Sequence, residues 1–352
     1  MGTPEHAPLQ RRLGTSDAVV IGLGSMIGAG VFVVFGPAAA AAGSGLLIAL
    51  AAAAVVAYCN ATSSARLAAV YPQSGGTYVY GRERLGRFWG YLAGWSFIVG
   101  KMASCAAMAL TVGLYVWPAH AHAVAVAAVA GLTAVNYRGI QKSALLTRMI
   151  VAVVLAVLVG VIAAVLLSGR ADPARITLAG GSPSGVLQAA GLLFFAFAGY
   201  ARIATLGEEV RDPAHTIPRA IRISLAFTLT VYAVLAVLLM AILGPELATA
   251  TAPLAEAVRS AGVTWMDPVV RVGAAVAALG SLLSLILGVS RTGLAMARDG
   301  HLPSALAAVH PRFAVPHRAE VAVGIIVAAV AALADVRAAI GFSSFAVLLY
   351  YA

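Results

Sequence analysis

Apolar residues fill long runs of this chain, and polar and charged residues collect in the short stretches between them. Ten such runs fall at roughly 18–41, 44–67, 87–117, 120–137, 144–168, 184–207, 219–243, 268–297, 319–334 and 338–352. A helix needs about 20 apolar residues to cross the hydrocarbon of a bilayer. The pattern therefore predicts an all-α, polytopic membrane protein with about ten spans in one transmembrane domain covering 1–352. The fourth and ninth runs are short and depend on their flanks. The last run stops at Tyr350-Tyr351-Ala352 without a polar flank, which reads as an incomplete last span or a chain lacking one or two further helices.

The connections between runs alternate in charge. Arg11 and Arg12 precede the first; Arg82, Arg84 and Arg87 follow the second; Arg138, Lys142 and Arg148 follow the fourth. Arg211, Arg219 and Arg222 follow the sixth, and Arg298, Arg312 and Arg318 follow the eighth. The opposite set holds only Arg170, Arg175, Arg259, Arg271 and Arg337. Basic loops stay on the cytoplasmic side, so residues 1–17 are expected inside a plasma (inner) membrane, with the first run retained as an anchor.

One run does not suit a simple anchor. Between Gly22 and Phe32 it carries Gly22, Gly24, Gly28 and Gly30. Glycine weakens a helix more than any residue but proline, and free backbone groups at membrane depth are tolerated only where they line a cavity or are buried in protein. The stretch suits a helix that opens, with Gly28-Ala29-Gly30 as half of a small-molecule site. The sixth run, Gly191 to Arg202, also has a small-residue interruption at Ala198-Gly199. The simpler reading is close packing of small residues between helices. Paired interruptions in two halves instead point to a transporter site.

Composition narrows the class further. The chain is 61% hydrophobic and 10% charged, whereas soluble domains carry about 25% charged residues. Its formal charge of +10 is spread between apolar runs, which argues against nucleic acid and for a bilayer. Cys59 and Cys105 lie inside apolar runs and are expected as buried packing thiols. The histidines are scattered, so no metal or other cofactor is expected. Nothing resembles a phosphate loop or a hydrolase nucleophile, so no enzyme is expected.

Four stretches carry a resemblance. They are Ile27-Gly28-Ala29-Gly30-Val31-Phe32, then Pro72 to Tyr80, then Phe194 to Ile221 through Gly207-Glu208-Glu209, and Ala295 to Pro303. In this order and spacing they resemble the amino acid–polyamine–organocation permeases. The resemblance implies two inverted five-helix repeats (5+5), here 18–168 and 184–352, with helices 1 and 6 broken. It implies alternating access and two further helices after the core. It also implies that Gly28, Ala29 and Gly30, with Ile27 beside them, hold a substrate carboxylate. The ammonium is then met by backbone carbonyls of Met26, Phe195 and Ala198, with Phe195 and Phe197 as candidate lids.

Ionisable residues at membrane depth are functional candidates by default. Lys101 lies mid-span and could carry a coupled proton or meet a carboxylate; the simpler reading is a fixed pair with Glu83 or Glu208. Arg202 follows the second break and could pair with Glu209. Ser281 and Ser284 could line an ion or proton site, although serines in membrane helices often bond their own backbone. Glu208 and Glu209, among arginines, suggest a gating ion-pair network. Tyr78 and Tyr80 suggest an interfacial turn. Similar cationic transporters carry an acid after the sixth-helix break, where this chain has Ala201; a lysine of proton-coupled relatives aligns with Val154. The expectation is a permease for neutral or acidic amino acids, by proton coupling or exchange. The alternatives are a transporter of polyamines or organic cations, and an amino acid sensor with the same pocket.

Overall fold

A computed structural model describes residues 13–71, 76–138, 144–176, 181–204, 210–313 and 315–351, with the backbone alone at 144, 201 and 204. The helices run α1 (Thr15–Met26), α2 (Gly30–Val33), α3 (Phe35–Ala42), α4 (Leu46–Val70) and α5 (Thr77–Leu85). They continue with α6 (Arg87–Val116), α7 (Ala121–Tyr137), α8 (Ala144–Leu167), α9 (Pro183–Phe197) and α10 (Ala201–Ala204). The rest are α11 (Pro213–Leu243), α12 (Pro253–Ser260), α13 (Asp267–Arg298), α14 (His317–Leu333) and α15 (Val336–Tyr351). Among the described residues there is no strand, only a single bridge between Leu13 and Val210. The protein is an all-α, multi-pass membrane protein.

Among the described residues, eight helical stretches are long and apolar enough to cross a membrane. The ninth and tenth expected spans appear as α14 and α15, with 17 and 16 residues. Local chemistry sets the ends. Proline, whose missing N–H costs nothing there, opens α9 and α11. The Ser182 hydroxyl caps α9 by accepting from Gly185 N at 3.0 Å. Gly43 and Gly244 close α3 and α11 at φ 55° and 54°, where a side chain would be strained.

The long helix α6 packs against α7, α13, α14 and α15. On the other side, α1 packs on α8 and α11, α9 packs on α3, α4 and α15, and α11 packs on α4. Small residues allow this closeness: Gly100 of α6 leaves room for Ala346 of α15, 2.8 Å from where a Cβ would sit. Large apolar side chains such as Val55, Leu145, Val159 and Leu166 stay exposed on α4 and α8, as helices facing lipid require. Cys105 is buried as expected, but Cys59 is exposed on α4. Its position in an apolar run placed it in lipid-facing surface instead of the core.

Tyr78 and Tyr80, expected at a turn, lie in a helix. Both are buried in α5. The Tyr78 hydroxyl donates to Asp299 Oδ2 at 2.5 Å, and Arg82 reaches the same oxygen at 3.4 Å. Burial, and then the bond to Asp299, push the Tyr78 hydroxyl up to about 12, so it remains a donor at neutral pH. This contact joins the Pro72–Tyr80 and Ala295–Pro303 stretches. Glu83 pairs with Arg82 at 3.3 Å, which leaves it committed away from Lys101.

Candidate substrate site between two broken helices

The first helix breaks where the glycines predict, but only two of the four glycines take part. Gly22 and Gly24 remain inside α1. There they serve packing: Gly22 lies against Ile203 and Ser224, and Gly24 against Val151. The break begins at Ile27, whose φ of −85° and ψ of 53° leave the helix, although its N–H still reaches Leu23 O at 2.7 Å. Helical bonding resumes with Phe32 N to Ala29 O at 3.1 Å and Val34 N to Gly30 O at 3.0 Å. The amides of Gly28, Ala29 and Gly30 donate in none of the described bonds across the break. Val34 separates α2 from α3 because Pro37 has no N–H to give Val33 O.

The second interruption lies between α9 and α10, as a tight turn over Ala198–Tyr200. The two breaks touch through main chain. A Cβ on Gly30 would stand 2.9 Å from Ala196 Cα, and one on Gly199 would stand 2.7 Å from Met26 N and collide with the Ser25 carbonyl. Each break thus holds a glycine against the backbone of the other helix.

Two tyrosines fix this junction. From α11, the Tyr232 hydroxyl donates to Met26 O at 2.6 Å and lies 3.3 Å from Ala196 O, so one O–H serves a carbonyl of each broken helix. From α6, the Tyr115 hydroxyl donates to Phe32 O at 2.6 Å. Both side chains are fully buried. A tyrosine inside a membrane protein needs a partner for its hydroxyl. That requirement is the sequence signal that marks Tyr232 and Tyr115.

The expected site residues fall as follows. Met26, Ile27, Gly28, Ala29 and Gly30 are buried at the first break, and Phe195, Phe197 and Ala198 at the second. Phe195 packs with Val33, Ala107, Ala339 and Ile340; Phe197 lies 5.1 Å from the Tyr232 ring. The Ser281 side chain abuts Gly28. Ser284 is exposed, and its hydroxyl bonds its own backbone at Gly280 O, 3.1 Å away. Arg202 lies exposed on α10. Glu208 and Glu209 lie outside the described residues. Lys101 is buried in α6, and among the described residues no hydrogen bond or ion pair to it is found. It shares a helical stripe with Cys105, Met108 and Val112, the last two packed beside Ala29. At 1.5 Å per residue Lys101 stands about 10 Å along α6 from Met108. No group of three potential metal ligands occurs among the described residues.

A helical bundle with two interrupted helices meeting inside it has the architecture of a membrane transporter. Comparison with known proteins makes the class specific. The amino acid permease family matches residues 13–352, and this chain belongs to that family. It is a transporter and not an enzyme. It is 74% identical over 346 residues to an uncharacterised transporter of Mycobacterium tuberculosis, covering 98% of this chain and 79% of that protein. It is 29% identical over 342 residues to the branched-chain amino acid permease BcaP of Bacillus subtilis, covering 90% and 73%. It is 28% identical over 370 residues to human cationic amino acid transporter 4, covering 97% and 58%.

Proposed function

We propose that this protein is a secondary active transporter that carries an amino acid across the plasma membrane by alternating access. The observation that carries this reading is the mutual contact of the two breaks. It brings the amides of Gly28, Ala29 and Gly30 into one buried region with the Met26, Phe195 and Ala198 carbonyls. Amides before a helical turn offer partial positive charge to a carboxylate, and free carbonyl lone pairs suit an ammonium. The backbone does this work, so one arrangement serves any amino acid main chain, while Phe195 and Phe197 bear on the side chain.

Packing supports two inverted repeats. α1 meets α11 as α9 meets α4, and α1 meets α8 as α9 meets α15. Likewise α6 meets α7 as α13 meets α14. These pairs exchange when the first five spans are mapped onto the second five. The arginine pattern supports a cytoplasmic N-terminus.

Lys101 is the coupling residue in this reading. Lys101 has no fixed partner among the described residues, and a buried lysine in that state exchanges its proton more readily than one held in an ion pair. Ala201 offers no acid after the second break to meet a cationic side chain. Neutral amino acids are therefore favoured, in keeping with the branched-chain specificity named for the Bacillus relative.

The test is uptake into proteoliposomes from a panel of neutral, acidic and cationic amino acids and polyamines, with imposed proton and sodium gradients. Accumulation of a neutral amino acid driven by a proton gradient is expected. Binding without flux would instead indicate a sensor. Lys101→Ala is expected to flatten the pH dependence of uptake; a profile that keeps the wild-type shape would remove Lys101 as the proton carrier.

A further inference from the structure

A second set of polar groups lies away from the breaks, where α14 packs against α7, α6 and α13. Glu320 is at its centre. It is fully buried, and neither carboxylate oxygen has a hydrogen-bond partner among the described residues. Two other buried polar atoms on the same interface are also unpartnered: Thr133 Oγ1 on α7 and His317 Nδ1 on α14.

Helix periodicity fixes how these groups meet. His317, Glu320 and Gly324 are spaced i, i+3 and i+7, one stripe along α14. Thr133 and Tyr137, spaced i and i+4, form one stripe along α7. The stripes are in contact at both ends. The Thr133 hydroxyl lies 2.6 Å from where a Cβ on Gly324 would sit, and the Tyr137 and His317 rings meet edge to face at 6.1 Å. Glu320 lies between these contacts. The absence of a side chain at Gly324 lets the helices close over it.

From α13 the charged group acting on Glu320 is Arg291, which lies beyond ion-pair distance. Asn136 of α7 is committed to Leu283 O at 3.1 Å. Tyr137 presents its ring to His317, and His310 in the preceding loop meets the His317 ring edge to face at 5.3 Å. From α6 no described group acts on the carboxylate. An ionised carboxylate taken from water without a partner costs several kcal/mol. A proton on Glu320 removes that charge.

We propose that Glu320 is a proton-carrying site of this protein, built between α7, α13 and α14 and separate from the substrate site. The proton comes from water and returns to water, with no other bond made or broken. Once it leaves, the remaining countercharge is Arg291, so the two protonation states favour different placements of α14 against α13. This assignment does not depend on which substrate is carried or on Lys101.

Infrared difference spectroscopy of the full chain in lipid nanodiscs, titrated upward without substrate from about pH 6, where carboxyls with ordinary values near 4 have already lost their protons, tests it. A protonated-carboxyl band that disappears on alkalinisation is expected, absent in Glu320→Gln and retained but shifted in Glu320→Asp. Glutamine keeps the shape of the neutral acid, so the folded variant is expected, and aspartate keeps the acid itself. A band that persists in Glu320→Gln would overturn the assignment. So would a wild-type carboxyl spectrum that does not change with pH, as a permanent Glu320–Arg291 ion pair requires.

Discussion

Gly199→Ala is expected to lower uptake by about tenfold or more and to reduce thermal stability, while Gly191→Ala leaves both intact. The added methyl at position 199 meets the Ser25 carbonyl and Met26 N, which are main chain and have no rotamer to turn aside. Overfilling a well-packed site typically costs about 1–3 kcal/mol, and 1.4 kcal/mol is tenfold in an equilibrium. Relief requires the two broken helices to part, which separates the halves of the site. Gly191 sits in the same span, but nothing lies within 4 Å of a Cβ there. Alanine at that position favours the helix by about 0.5–1 kcal/mol. Proteoliposome uptake and thermal unfolding of both variants check the contrast. Wild-type behaviour of Gly199→Ala would mean that the breaks do not touch.

Tyr232→Phe is expected to destabilise the substrate-free protein by about 1–3 kcal/mol, the penalty for a buried acceptor left without its donor. Phenylalanine preserves the ring and its packing on Phe35 and Phe197 at 6.2 and 5.1 Å. Only the hydroxyl that serves Met26 O and Ala196 O is lost. If Met26 O also accepts the substrate ammonium, the ligand supplies the missing donor. The thermal shift produced by saturating amino acid should then be larger in the variant than in wild type. An equal shift in the two proteins would show that the ligand does not use that carbonyl.

Much of the architecture was legible because hydrocarbon imposes a strict rule. Helices must be long and apolar, so the apolar runs located ten helical regions, though not α5 or α12, and small residues located both breaks. Periodicity and composition carry less information about partners. The motif singles out Gly28 and Gly30 for the opening, but nothing in it shows that Gly22 and Gly24 keep α1 close to its neighbours. Tyr232 and Tyr115 are distant in sequence from the carbonyls they serve, and no local pattern connects them. α5 and Tyr78 were read as a turn because the Gly75-Gly76 pair dominates the local signal, whereas the bond to Asp299 comes from 221 residues away. Glu320 stands at the polar start of a short span, where an exposed carboxylate is ordinary; only the packing of α7 and α14 encloses it.

The junction of the two broken helices has a thermodynamic character of its own. Its closest contacts are glycine against main chain, with a single hydroxyl bridging the carbonyls. Glycine has no side-chain rotamers to freeze, and burying longer side chains costs up to about 2 kcal/mol each. Parting and rejoining this joint therefore releases and recaptures little side-chain entropy. Its energetics lie mainly in hydrogen bonds and dispersion, which makes the joint stiff while it is closed and leaves few torsions to reset when it closes again.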